Sequence, residues 1–120
     1  MIRSRNYQDL IVWKKSIALV SKLYASTRAF PKEELYGMTS QIRRAGVSIP
    51  ANIAEGQGRN SLGEFRQFLG IAQGSLAELE TRLIISGNLN YLKPQKKEEL
   101  LKLCDEISRL LAGLKRSLTK

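Results

Sequence analysis

Histidine is absent from all 120 residues. Without it the chain lacks the commonest general base and metal ligand, which excludes His-containing triads and zinc or di-iron Glu-x-x-His sites. Cysteine occurs once, at Cys104, so no internal disulfide can form and the fold must rest on packing, as suits a reducing compartment. A lone thiol beside an apolar stripe, with no histidine to activate it, reads as core filler rather than as a nucleophile. Aromatic residues are few, at 7% of the chain, and Trp13 and Tyr24 fall on a stripe that reads as core. No apolar run approaches the ~20 residues that span a bilayer, and the polar, basic stretch from Met1 to Tyr7 does not resemble a signal peptide. A cytoplasmic protein is therefore expected. Gly56-Gln57-Gly58-Arg59 follows no strand and lacks the Gly-Lys-Ser/Thr of a phosphate loop, so it reads as a helix stop and no cofactor is implied.

What the chain has in excess is positive charge. Twenty Lys and Arg against eleven Asp and Glu give a net +9, a field that attracts polyanions or an acidic partner, although charge of this kind also serves solubility alone. The length suits one domain, residues 1–120. Apolar residues recur at steps of three and four in four segments. Leu10, Trp13, Ile17, Val20 and Tyr24 mark helix one. Phe30-Pro31 breaks the pattern. Leu35, Met38, Ile42, Ala45, Ile49 and Ile53 mark a long helix two, from Glu33 to Arg59, with a kink at Pro50 because the ring clashes with the Gly46 carbonyl. Ser61 and Glu64 form a capping box that opens helix three, marked by Leu62, Phe65, Leu69, Ala72, Leu76, Leu79 and Leu83 and ending near Gly87-Asn88. Pro94 opens helix four, whose stripe runs from Leu100 through Leu103, Ile107 and Leu110 to Leu114, widened by Leu101, Cys104, Leu111 and Leu118. Short connections and no strand alternation predict an all-α, antiparallel up-down four-helix bundle, with helices of ~22 residues about 33 Å long.

Several features are left over. Val12, Leu19 and Leu23 project nearly opposite the first stripe of helix one, and Ile71 and Ile85 do the same on helix three, which points to self-association through these residues. Gly70 and Gly74 are read as admitting a close helix neighbour. Helix two carries a polar stripe of Gln41, Arg44, Ser48, Asn52, Glu55 and Arg59. Interleaved small residues allow Ser48, Asn52 and Glu55 to pack in an interface, and a solvated flank is equally compatible with the pattern. Lys102, Arg109 and Arg116 recur every seven residues on helix four, with Lys115 and Lys120 extending the basic end. This rail could track phosphates, with Arg43, Arg44 and Arg59 as alternative contacts, or serve as an ordinary charged outer face. Glu55, Glu78 and Glu80 supply acids, yet Glu78 and Glu80 occupy different faces and nothing provides a nucleophile and base. Binding rather than catalysis is expected.

Read whole, Ser40-Gln-Ile-Arg-Arg-Ala-Gly-Val-Ser-Ile-Pro-Ala-Asn-Ile-Ala-Glu-Gly-Gln-Gly-Arg59 closely resembles the four-helix bundle proteins encoded in intervening sequences of bacterial 23S ribosomal RNA genes. Tyr7 to Lys14, Phe30 to Glu33 and Phe68 to Glu80 extend the likeness over nearly the whole chain. The family is similar to the accessory variability protein of diversity-generating retroelements, a basic pentameric ring that associates with nucleic acid and a reverse transcriptase. The resemblance thus implies a non-enzymatic homo-oligomer, a pentamer by that analogy, with RNA or other nucleic acid as one partner and a reverse transcriptase as another. It transfers no binding residues. The competing reading is a structural homo-oligomer or protein adaptor without nucleic-acid binding.

Overall fold

The computed structural model describes residues 6–118; most of the basic N-terminal stretch, and Lys120 at the basic end, lie outside them. Four α-helices account for most of the described chain: α1 Ile11–Thr27, α2 Met38–Gln57, α3 Leu62–Asn88 and α4 Pro94–Ser117. Short 3-10 turns at Tyr7–Asp9 and Lys32–Glu34 precede α1 and α2. No strand occurs among the described residues. Each helix packs on its neighbours in sequence, and α1 closes the circuit on α4, while the backbones of α1 and α3, like those of α2 and α4, stay farther apart. The resulting body measures 49 × 23 × 20 Å.

The signals that start and stop these helices are local. Ser61 accepts a hydrogen bond from the Glu64 backbone N–H at 3.1 Å and opens α3 as its motif predicts. Pro94 takes the first position of α4, where its missing donor costs nothing. Between them Asn90 adopts φ 64°, a left-handed turn that asparagine tolerates, and the Tyr91 N–H returns to the Ser86 carbonyl at 2.9 Å. Helix α2 starts later than the apolar pattern suggests. The Glu34 carboxylate accepts from the Met38 N–H at 2.9 Å and so caps the helix from outside, which leaves Leu35 in the turn and 49% exposed.

The largest correction concerns α1. Its buried stripe is Val12, Ser16, Leu19, Leu23 and Thr27, whereas Ile17 and Tyr24, which the periodicity assigns to the core, are each 40% exposed. Val12, Leu19 and Leu23 are therefore core residues and not an oligomer interface. Two hydroxyls disguise the true stripe. Ser16 Oγ donates to the Val12 carbonyl at 2.7 Å and Thr27 Oγ1 to the Leu23 carbonyl at 2.8 Å, so both satisfy themselves on their own helix and can be buried. The stripes of α2 and α3 stand as read, from Ile42 to Ile53 and from Phe65 to Leu83. On α4 the buried line is Leu100, Cys104, Ile107, Leu111 and Leu118, with Leu103, Leu110 and Leu114 half-buried beside it.

Close helix approach depends on glycines other than those singled out above. A Cβ on Gly46 would lie 2.5 Å from Leu23 Cδ1, and one on Gly56 would lie 2.7 Å from Phe68 Cβ and 3.3 Å from the Phe65 carbonyl oxygen. These two seat α2 against α1 and α3. Gly74 has open space around it, and Gly70 faces only the tip of Lys115, at 3.4 Å, so neither admits a helix within the subunit. Cross-helix polar contacts give the pairing: Lys15 with Glu106 and Lys22 with Glu99, each at 2.9 Å, join α1 to α4, and Ser48 with Ser75 at 2.8 Å joins α2 to α3.

Candidate functional site

The α1–α2 face carries an open groove of about 610 Å³, lined by Tyr24, Leu35, Tyr36, Thr39, Ser40, Arg43, Arg44, Val47 and Ser48. Its position follows from the late start of α2, which holds Leu35 and Tyr36 in an exposed turn; Tyr36 is 91% exposed. Arg43 is fixed rather than free. Its Nε donates to Thr27 Oγ1 at 2.9 Å, its Nη2 to the Tyr24 carbonyl at 3.4 Å, and its guanidinium lies 4.4 Å over the Tyr24 ring. The two side chains form one flat, cationic platform. Arg44 is exposed beside it and makes no ion pair among the described residues. No carboxylate lines the groove. The arrangement offers ring faces for stacking, hydroxyls for hydrogen bonding and one uncompensated cation.

The other predicted cations do not converge on it. Arg59, at the far end of α2, pairs with Glu55 at 2.9 Å and stacks 4.8 Å over Phe68. Lys102, Arg109 and Arg116 are exposed on α4, as expected, but the α4 backbone does not approach that of α2, and Arg109 is held by Asp105 at 2.8 Å. Exposed Glu98, Asp105 and Glu106 alternate with the rail and weaken it as a phosphate track. Of the remaining predicted interface residues, Ser48 and Asn52 bond to each other, Nδ2 to Oγ at 3.0 Å, and bridge to α3 through Ser75, so they work within the subunit. Ile71 and Ile85 are exposed, at 47% and 39%. The contribution of Tyr24 and Tyr36 was not legible from periodicity. Tyr24 sits on an apolar stripe, and only its position beside Arg43 in the folded chain turns it outward.

Titratable groups elsewhere have structural partners. Burial, reinforced by nearby Glu80, pushes the Cys104 thiol up to about 12, which keeps it protonated and inert. Burial and then Asp105 raise Glu80. A hydrogen bond to Glu34 at 3.0 Å raises Tyr91, and hydrogen bonds from Lys22 and Lys96 lower Glu99. No cluster of His, Cys, Asp or Glu suited to a metal ion occurs among the described residues, and no helix there is long and apolar enough to cross a membrane.

Fold and surface together define a small, basic, four-helical protein with an aromatic and cationic groove on one face. The chain belongs to the family described as 23S rRNA-intervening sequence protein, which residues 8–113 match. It is similar in structure to a protein of unknown function from the S23 ribosomal protein family of Bacteroides thetaiotaomicron. That likeness has a TM-score of 0.78 and 27% sequence identity, over 87% of this chain and 97% of the other. No curated protein matches.

Proposed function

We propose that this chain is a non-enzymatic, homo-oligomeric cytoplasmic protein that binds RNA or another single-stranded nucleic acid through the α1–α2 groove. The observation that carries the reading is the Tyr24–Arg43 platform with Tyr36 and Arg44 beside it, in a groove free of carboxylates. Bases stack on aromatic faces with little regard for sequence, and arginine neutralises the phosphates between them. The net charge of +9 supplies the long-range attraction. The supporting scaffold is an antiparallel up-down bundle. Residues 15 and 22 of α1 meet residues 106 and 99 of α4, so numbers rise along one helix as they fall along the other. Pro50, buried inside α2, bends that helix by removing a donor from the Gly46 carbonyl, with Asn52 bonded to the Ser48 carbonyl at 2.8 Å beside it.

Self-association rests on exposed apolar side chains outside the groove: Ile17 on α1, and Ile71, Ile84, Ile85 and Leu89 on α3. The same side chains support a second reading, a structural oligomer or protein adaptor that binds no nucleic acid. Fluorescence anisotropy with single-stranded RNA separates the two. Tyr36→Ala is expected to lose about 1–3 kcal/mol of binding, as base stacking is worth, and Arg44→Glu to weaken binding alike for every sequence, both with helicity intact. Absence of binding at low salt would leave the adaptor reading standing, and binding indifferent to both substitutions would remove the groove from the account.

A further inference from the structure

The end of the molecule where α3 begins and α4 finishes carries a second cleft, of about 310 Å³, whose lining the groove on α1 and α2 does not share. Gly63, Arg66, Gln67 and Gly70 fall at i, i+3, i+4 and i+7 on α3, one stripe of that helix, and Lys115 reaches across from α4. We infer that this cleft is an oxyanion site that takes a phosphate group. The two glycines leave its floor open on either side of the arginine: a Cβ on Gly63 would approach only Ser61 Oγ, at 3.9 Å, and one on Gly70 only Lys115 Nζ, at 3.4 Å. Lys115 is held over the stripe by Gln73, whose Oε1 accepts from Nζ at 3.2 Å.

The polar accounting points to a ligand. Arg66 makes no ion pair among the described residues, so its guanidinium charge is uncompensated at the cleft. No carboxylate lines the cleft. The nearest acid on the helix, Glu64, is engaged at the cap, 3.4 Å from Ser61 Oγ. Gly63 lies in the first turn of α3, where backbone N–H groups lack partners within the helix and the helix dipole favours an anion. A planar guanidinium, an ammonium and a first-turn amide around a small open floor match the oxygens of phosphate, which accepts charge-assisted hydrogen bonds from all three. The part of α2 beyond Ser48 and the turn to Ser61 lie between this cleft and the Tyr36–Arg44 groove, with no lining residue in common, and the inference does not depend on that groove.

The source of the phosphate is either the free inorganic ion or the terminal monoester of a nucleic acid. The test begins with inorganic phosphate alone. Titrated into the full chain and followed by NMR at the Gly63 and Gly70 amides and the Arg66 Nε–H, it is expected to give saturable shifts with Kd on the order of 1 mM. Arg66→Gln and, separately, Lys115→Gln should each weaken binding about tenfold or more with circular dichroism unchanged, so the second variant decides if the first does not fold. Arg44→Glu should leave phosphate binding as it was. A 5′-phosphorylated oligonucleotide that binds more tightly than its 5′-hydroxyl twin, with the advantage lost in Arg66→Gln, assigns the site to nucleic-acid ends; equal binding of the twins alongside saturable inorganic phosphate assigns it to the free ion. No saturable shift at tens of millimolar, or shifts unchanged in both variants, overturns the assignment.

Discussion

Gly56 sits where α2 touches the aromatic residues of α3, and a single methyl there has nowhere to go. Its Cβ would come within 2.7 Å of Phe68 Cβ and 3.3 Å of backbone oxygen, so relief requires the helices to separate. Gly56→Ala is expected to cost about 1–3 kcal/mol, the range for overpacking, whereas Gly74→Ala, with open space around it, should stabilise the subunit by about 0.5–1 kcal/mol. Urea denaturation of the two variants checks the contrast, and equal effects would contradict the packing described. Glu80 is the second residue with a readable consequence. Its carboxyl is raised by burial and by Asp105, so the folded state holds its proton more tightly than the unfolded chain does. Above the folded-state pKa the ionised carboxylate therefore weighs against the fold, and below the unfolded value the penalty vanishes. Glu80→Gln should raise stability at neutral pH, and the gain should fade as pH falls through the carboxylate range. A gain constant from pH 7 to pH 3 would point to another cause.

At the scale of the element, α1 holds two apolar faces, and burial divides their roles. Leu19 is fully buried and Ile17 is 40% exposed, two positions away on the same helix. A lysine at position 19 places a charge in the core at a cost comparable with the stability of a small domain, so Leu19→Lys is expected to unfold the chain. Ile17→Lys should leave helicity intact and lower the mass of any assembly that uses this face. Circular dichroism and light scattering on the pair separate core from interface. Folded, dissociated Leu19→Lys protein would restore the interface reading that the structure has overturned. The choice of face was hidden because Ser16 and Thr27 interrupt the buried stripe, and a hydroxyl counts as polar until its own-helix carbonyl is seen to accept from it.

For the whole molecule, the consequence of a +9 charge is salt dependence. If about five phosphates are neutralised per site, the log–log slope of affinity against salt for a single strand should lie near −3.5, and assembly should multiply the sites without steepening each. Anisotropy from low to physiological salt measures the slope; a flat response would remove phosphate contact from the account. The α4 rail is expected to add little, because Asp105 holds Arg109 and other acids flank it. Reversal of Lys102, Arg109 and Arg116 to Glu should therefore weaken binding less than Arg44→Glu alone.

Sequence alone was sufficient for the number of helices, the cap at Ser61, the start at Pro94, the stripes of α2 and α3, the inert Cys104 and the family. Each of these depends on neighbours within one or two turns, where spacing and residue type act directly. Only the tertiary structure decided which face of α1 is core, because an amphipathic helix with apolar residues on two sides is oriented by what it packs against. It also decided that Arg43 and Tyr24 join as one platform, that the α4 rail is interleaved with acids, and that Arg66 and Lys115 line one cleft. Those pairings bring together residues 19 and 49 positions apart, and their proximity comes from helix packing, which local pattern does not encode.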